Sequence, residues 1–241
     1  MGRSQYFEDQ RVQISDGVML NVDAINKFGY NESVGSSYEV VSDLGSAHYP
    51  TSAATVSIVS ASTADTAAGT GARTVEIQGL DGNYEELTEV VTMNGTAAVS
   101  TTASFIRVFR MRVVTAGSGE TNAGNITATI GSNVARILAG QGQTLMAIYT
   151  VPKGKTAFFM KFQGSISKSQ EGAFQLRSRL PFAAGNGAFN VKGLWGTFAN
   201  TVTYDYPVPL KFEEFTDIEI RSKGQGTPDM GAIFDLILVK K

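Results

Sequence analysis

Turn-forming residue pairs between short alternating segments in the central part of the chain constrain its fold more than any other sequence feature. Residues 73–80 alternate, with Val75 and Ile77 on one face, and a period of two is typical of a β-strand. Asp-Gly at 81–82 and Asn-Gly at 94–95 then favour hairpin turns, because Gly tolerates a positive φ and Asp or Asn hydrogen-bonds its own backbone. This stretch therefore predicts consecutive antiparallel strands.

A third strand is expected over residues 104–114, where three arginines interrupt an apolar run. One β-bulge near Val108 and Phe109 would turn the apolar side chains inward and all three arginines outward. The arginines would then form a solvated face opposite glutamates of the neighbouring strand, each pair contributing about 0.2–1 kcal/mol. The residues concerned are Arg107, Arg110 and Arg112, opposite Glu85, Glu86 and Glu89.

Composition extends the β prediction to the whole chain of 241 residues. Hydrophobic residues make up 42% and charged residues 17%, with 26 glycines and few apolar helical patterns, which favours an all-β protein. About seven strands after residue 144 fit a jelly roll or a related Greek-key sandwich. We predict an irregular arm over residues 1–52, a β-sandwich-like domain over 53–143 and a jelly-roll-like β-sandwich domain over 144–241.

Two local patterns refine this prediction. Residues 131–143 read either as a brief helix or as another strand with loops. Pro207 and Pro209 remove donors from a strand over residues 201–210, which therefore belongs at the edge of a sheet.

Aromatic side chains supply the candidate partner contacts. Short strands are expected at 11–14 and 18–22, and the rest of the arm either folds over its own domain or lies along a neighbouring subunit, where the ordering of a loose segment is offset by the surface it covers. The single Trp is either a stacking platform for a sugar or, more commonly in a sandwich, part of a core or interface. The candidate contacts are Tyr6, Phe7, Phe28, Tyr30, Tyr38 and Trp195.

Residue types argue against an enzyme and against a cofactor or metal site. The chain has no Cys and one histidine, His48, so neither a nucleophile–histidine pair nor a transition-metal site has the groups it requires. Residues 81–83 lack the carboxylate spacing of a calcium loop, and the Gly-rich segments lack the Walker and dinucleotide patterns. Carboxylate pairs at 85–86 and 213–214, with Asp229, leave glycoside hydrolysis as an alternative, although solvated strand ends explain them equally well.

Net charge and hydropathy indicate which partners and which location to expect for the chain. A net charge of −2 with scattered basic residues argues against a nucleic-acid partner, which requires a basic patch. No apolar run is long enough for a membrane span, and the opening residues lack the apolar core of a signal peptide. We expect synthesis in a cytoplasm and no membrane partner.

Four stretches of sequence resemble structural proteins of tailed-bacteriophage virions. They are residues 62–81 (STADTAAGTGARTVEIQGLD), 91–96 (VTMNGT), 122–127 (NAGNIT) and 149–156 (YTVPKGKT). The resemblance covers roughly residues 54–160, and it implies no catalytic residue.

The resemblance implies a virion component that acts through subunit contacts. Within that class, the cysteine-free all-β layout resembles capsid decoration (cement) proteins, which sit as trimers on the shell and resist internal DNA pressure. The expected partners are then the major capsid protein or other virion proteins, together with further copies of this chain. The alternative is a neck or tail appendage, such as an adaptor or receptor-binding protein that recognises host surface glycans.

Overall fold

The computed structural model describes residues 10–167, 170–182, 185–198 and 200–241. In these residues the chain forms one short helix, α1 (Gln10–Ser15), and eighteen strands. The first nine strands are β1 (Val22–Asn31), β2 (Glu39–Val40), β3 (Ala54–Ser60), β4 (Ala72–Leu80), β5 (Glu86–Thr92), β6 (Val99–Phe105), β7 (Arg107–Ala116), β8 (Ile126–Ile130) and β9 (Ser132–Ile137). The others are β10 (Ile148–Thr150), β11 (Lys155–Ile166), β12 (Glu171–Arg179), β13 (Pro181–Phe182), β14 (Gly185–Asn186), β15 (Asn190–Phe198), β16 (Thr201–Phe212), β17 (Asp217–Gly224) and β18 (Met230–Lys240).

Eight of these strands form a jelly roll, which confirms the predicted all-β, jelly-roll-like sandwich. One sheet has the order β1-β18-β11-β16, and the other has the order β10-β17-β12-β15 with β2 added beside β17. Apart from β12 and β15, which pair within one sheet, successive strands of these eight alternate between the two four-stranded paths, as in a double-sheet jelly roll. The inward faces share one apolar core, whose largest fully buried side chains are Tyr149, Phe159, Phe162, Phe174 and Phe234.

A second β-sandwich is inserted between the first two jelly-roll strands. It consists of a four-stranded sheet, β6-β3-β8-β9, and a three-stranded sheet, β5-β4-β7, and all of its strands lie in the chain between β1 and β10. Its separate core includes Val56, Ile58, Val75, Ile77 and Met111. These strands fall inside the predicted segment 53–143, and residues 132–137 of the ambiguous stretch are the strand β9.

The prediction of an irregular arm is wrong for residues 22–31, which form β1. All ten residues of β1 pair in continuous antiparallel register with β18. The strand was missed because its alternation is inverted: Lys27, Gly29 and Asn31 are buried, whereas Phe28 and Tyr30 lie on the outer face. A side chain at Gly29 would collide with the backbone oxygen of Val41, so the inward position needs glycine.

The predicted strands at 11–14 and 18–22 are also not observed. Residues 11–14 belong to α1, and the pairing of β1 begins only at Val22. The hairpin turn at 81–82 forms, but the positive φ of 62° falls on Tyr84 and not on Gly82. The prediction that the strand holding Pro207 and Pro209 lies at a sheet edge is confirmed, because β16 ends its sheet.

The arginine-bearing strand contains the predicted bulge, but its arginines do not form one solvated face. The register of β4 with β7 shifts between Gln78 and Gly79, which leaves Phe109 as the extra residue. Arg112 is exposed and pairs with Glu76 at 2.7 Å, not with the three glutamates expected. Arg107 points inward and is only 3% exposed.

Arg107 forms the buried junction between the two sandwiches. Its Nε and Nη2 donate to the two carboxylate oxygens of Asp217, at 2.8 and 3.0 Å, in a bidentate pair that links β7 to β17. Asp217 is fully buried and also accepts hydrogen bonds from Arg179 Nε at 3.0 Å and Thr150 Oγ1 at 2.7 Å. The ring of Tyr84 lies 5.5 Å from the guanidinium carbon of Arg107. One buried carboxylate therefore joins β7 of the inserted sandwich to β10, β12 and β17 of the jelly roll.

Substitution of Asp217 by Asn tests this junction. The variant leaves two guanidinium groups without their carboxylate, and breaking such a buried pair costs about 3–5 kcal/mol in the free energy of unfolding. Urea denaturation followed by fluorescence measures the loss. The matched control is Asp205→Asn, whose carboxylate is 75% exposed and 3.9 Å from Lys161, and it should cost less than about 1 kcal/mol. Equal losses for the two variants would contradict the assignment.

Candidate assembly surface

In the described part of the chain, no catalytic arrangement surrounds the groups considered for chemistry. His48 is exposed in the loop between β2 and β3 and, within the described part of the chain, forms no hydrogen bond with a Ser or an Asp. Among the described residues, no cluster of three or more His, Asp or Glu side chains could hold a metal ion. The described helix is also not long and apolar enough to cross a membrane.

Four of the five carboxylates considered for glycoside hydrolysis lie in surface ion pairs. Hydrogen bonds from Lys211 and Lys241 lower the pKa of Glu213, whereas a general acid needs a raised pKa. Asp229 contacts the backbone N–H of Ser33 at 3.3 Å. The ion pairs are Glu85 with Lys153, Glu86 with Lys155, Glu213 with Lys211, and Glu214 with Lys241.

Three of the four stretches that carry the resemblance meet at Asp65, which is buried. The carboxylate accepts hydrogen bonds from Ser60 Oγ at 2.5 Å and from the backbone N–H groups of Ala72, Ala123 and Gly124 at 2.7, 2.8 and 3.0 Å. The carbonyl oxygen of Asp65 accepts from Gly95 N at 2.7 Å. Asp65 therefore ties residues 62–81, 91–96 and 122–127 together.

Asn122 completes this cluster from the third stretch. Its amide group donates to the carbonyl oxygens of Gly124 and Leu138, both at 2.8 Å, and its Oδ1 accepts from Gly142 N at 2.9 Å. The fourth stretch lies elsewhere: it supplies Thr150 to the Asp217 junction. The motifs behind the resemblance thus hold loops and junctions in place.

Two of the predicted contact residues, Phe28 and Tyr30, lie side by side on the outer face of the β1-β18-β11-β16 sheet. Phe28 pairs in register with Ile233 of β18, and Tyr30 pairs with Gly231. Both rings are half-buried, and Arg110 lies 6.0 Å from the Phe28 ring. Burial, together with the nearby Asp229, raises the pKa of Tyr30, so its hydroxyl is neutral at physiological pH and remains a hydrogen-bond donor.

Of the other predicted contacts, the structure places Tyr38 and Trp195 away from this face. Tyr38 precedes β2 on the opposite sheet, with Lys223 Nζ 5.1 Å from its ring. Trp195 lies on β15, where it stacks on Phe162 with 4.2 Å between ring centroids and an interplanar angle of 18°. This packing covers one ring face of Trp195. Tyr6 and Phe7 lie outside the described residues.

A group of exposed apolar side chains on β15 and β16 was missed by the sequence reasoning. The two strands end their respective sheets and lie next to each other. We call this set the apolar edge; its members and their exposed fractions are Val191 (55%), Leu194 (62%), Phe198 (62%), Tyr204 (44%) and Val208 (80%). The sequence of β15, NVKGLWGTF, contains a signal for this surface. Leu194 and Phe198 lie on one face of the strand and Trp195 lies on the other, so both faces are apolar.

Comparisons with known proteins give only remote likenesses. No family model matches the chain, and no curated protein matches it. The structure of infectious bursal disease virus, Gt strain, is 8% identical with a TM-score of 0.22, over 92% of this chain and 77% of that chain. The T=1 particles derived from infectious bursal virus are 8% identical with a TM-score of 0.24, over 91% of this chain and 74% of that chain. The infectious bursal disease virus VP2 subviral particle is 11% identical with a TM-score of 0.21, over 91% of this chain and 72% of that chain. At such TM-scores these likenesses identify neither a shared fold nor a function.

The Asp65 cluster generates a pH-dependent prediction. Burial acts to raise the pKa of Asp65, but the hydrogen bonds from Ser60 and three backbone N–H groups outweigh it and lower the pKa. A carboxyl with a lowered pKa in the folded state contributes stability above its unfolded pKa of about 3.9, and this contribution disappears as the pH falls through the folded pKa. Asp65→Asn should therefore lose about 1–3 kcal/mol at neutral pH, with the difference from wild type shrinking in acid.

Chemical denaturation of wild type and variant from neutral pH down to acid pH measures that difference. The control is Asp16→Asn, at an exposed position outside the cluster, and its free energy of unfolding should equal that of wild type at every pH. A difference between wild type and Asp65→Asn that stays constant with pH would show that the carboxylate charge is not what stabilises the cluster.

Proposed function

We propose that this protein is a non-enzymatic structural component of a virion, and more specifically a capsid decoration protein of a tailed bacteriophage. The sequence resemblance over residues 54–160 supports the class of protein. The observation that carries the mechanism is the apolar edge, since a chain that works through contacts between subunits needs an unpartnered surface of this kind.

The apolar edge is unusual for a sheet boundary. Edge strands present unpaired backbone N–H and C=O groups, and monomeric proteins protect them with charges, short length or a covering segment. Here β15 is nine residues long with Lys192 as its one charged residue. β16 is twelve residues long and carries Asp205, Lys211 and two prolines, which protect an edge strand. On β15, therefore, unpaired backbone groups and apolar side chains are available to a partner along the same strand.

We assign this surface to further copies of the chain, in a homotrimer. The edge belongs to the jelly roll, and burial of its five side chains against a neighbour would remove apolar area from water at about 25 cal/mol per Å². An obligate interface of this type buries roughly 2,000 Å² or more in total. The outer face around Phe28 and Tyr30, together with Tyr6 and Phe7, then remains for the major capsid protein or another virion partner.

The alternative function is a neck or tail appendage that recognises host glycans. Trp195 was the residue proposed to stack on a sugar, but its ring already stacks on Phe162, and its neighbours Tyr204 and Phe198 are the more exposed rings. Saturable binding to host surface glycans, lost when Tyr204 is replaced by Ala, would favour the appendage over the decoration protein.

The oligomeric state tests the proposed trimer. Light scattering coupled to size-exclusion chromatography should give a trimer for wild type, whereas Leu194→Asp with Phe198→Asp should give a monomer. Each buried anchor contributes about 2 kcal/mol or more to such an interface. The control is Val90→Asp on β5, which is 51% exposed but lies on the inserted sandwich and should leave the trimer intact. A monodisperse wild-type monomer that also fails to bind capsids would contradict the proposal.

A further inference from the structure

Lys27 is a buried lysine at a second contact between the two sandwiches. It lies on β1, is 3% exposed, and its Nζ donates a hydrogen bond to the carbonyl oxygen of Phe109 on β7. Phe109 is the extra residue of the bulge in β7, so its carbonyl group lies outside the regular pairing of β7 with β4. Beside it, Arg110 Nη2 donates to the carbonyl oxygen of Asn26 at 3.0 Å. We call this contact between β1 and β7 the lysine seam.

No carboxylate within the described residues pairs with Lys27. Asp23 lies on the same face of β1, but four residues of an extended strand span about 13 Å, and Asp23 is paired with Lys155 at 3.0 Å. Asp235 of β18 lies on the outer face of the sheet, where it accepts a hydrogen bond from Asn26 Nδ2 at 2.6 Å. Lys27 therefore faces an uncharged acceptor and one positive guanidinium group.

The other titratable groups near the seam supply no counter-charge to Lys27. Tyr149 on β10 packs its ring 4.9 Å from that of Phe109, and its hydroxyl is buried with no hydrogen-bond partner in the part of the chain that the structure describes. Burial, assisted by two nearby carboxylates, raises the pKa of Tyr149, so this hydroxyl stays neutral. The remaining charged groups on the elements around β1 are Arg11 on α1, the exposed Arg112 of β7, and Lys155 with its carboxylate partner Glu86.

A positive charge on Lys27 is costly as long as the seam is closed. Moving an unpaired ammonium ion from water into a protein interior costs several kcal/mol, so such a group either loses its proton or moves to water. Burial, followed by the charge of Arg110, accordingly holds the pKa of Lys27 well below its usual range. The neutral amine still donates to the carbonyl oxygen of Phe109, so the closed seam is the arrangement of the unprotonated lysine.

We propose that the lysine seam is a proton-controlled latch between the two sandwiches, closed while Lys27 is neutral and open once Lys27 has taken up a proton. In the open state the ammonium group reaches water, and the inserted sandwich turns away from β1. The ion pair between Arg107 and Asp217 stays in place, so the inserted sandwich remains attached to the jelly roll. This latch is a property of the single chain and is independent of the proposed trimer and of the virion role.

The direction of the pH dependence follows from the two states of Lys27. Its pKa is lowered in the closed seam and returns to its usual value of about 10.4 in the open one, so the open state binds more protons between these two values. A falling pH therefore favours opening throughout this range, and the opening equilibrium constant rises up to about tenfold per pH unit. Below the lowered pKa the equilibrium no longer changes with pH.

Pulsed electron paramagnetic resonance on the full chain measures the opening directly. The chain has no Cys, so spin labels at Ala24→Cys on β1 and Val114→Cys on β7, both exposed positions, report one distance across the seam. An excess of unlabelled chain suppresses distances between copies. We expect a single short distance in alkali and a second, longer one whose share grows as the pH falls. A distance distribution that is the same at every pH would overturn the proposal.

Two substitutions of Lys27 in the labelled chain assign the opening to this residue. Lys27→Met keeps the length of the side chain but takes up no proton, so the seam should stay closed at every pH. Lys27→Arg keeps its positive charge at every pH, so the seam should stay open even in alkali, and this variant decides the question where Lys27→Met fails to fold. The matched control is Lys153→Met, whose exposed ammonium pairs with Glu85 at 3.1 Å, and it should open as wild type does. Opening of Lys27→Met with the pH dependence of wild type, or a closed seam in Lys27→Arg, would also overturn the proposal.

Discussion

The buried ion pair between Arg107 and Asp217 is the interaction on which the rest of this structure depends. A jelly roll with a long insertion between its first two strands needs a contact that fixes the insertion, since short connections alone leave such units free to move. Removing two charges from water is costly, and the pair is favourable only because Asp217 accepts four hydrogen bonds and Arg107 also donates to the carbonyl oxygens of Pro50 and Ile106. An apolar contact at this place would hold the two units together without setting their orientation.

Sequence patterns were sufficient to predict a strand and its buried face where apolar residues recur at every second position. Val75 and Ile77 were expected on one buried face and are there, and the two prolines of β16 correctly predicted an edge strand. The alternation of apolar and polar residues failed to predict a strand where polar residues point inward. In β1 the buried positions carry Lys27, Gly29 and Asn31, so a strand with ten paired residues reads as an irregular segment.

Long-range partners account for the remaining failures. Arg107 looked like the first of three solvated arginines, because its carboxylate partner lies 110 residues further along the chain. Lys27 is buried likewise, donates to the carbonyl oxygen of Phe109, and has a pKa held well below its usual range by burial and by Arg110. Of the candidate contact residues, Phe28 and Tyr30 were predicted as aromatics of an irregular arm, whereas Leu194 and Phe198 were not singled out. Their exposure depends on β15 lying at the end of its sheet, which a single sequence does not reveal.

These features are the basis for proposing that the protein acts through contacts between subunits. Its buried polar groups hold loops and the two sandwiches in place, while apolar side chains lie on an outer face and on two sheet edges. The most direct test is the copy number of this chain per purified virion, measured by quantitative mass spectrometry against the major capsid protein. Decoration of the shell predicts a ratio near unity. A ratio of a few hundredths would contradict it and would place the protein at the neck or tail.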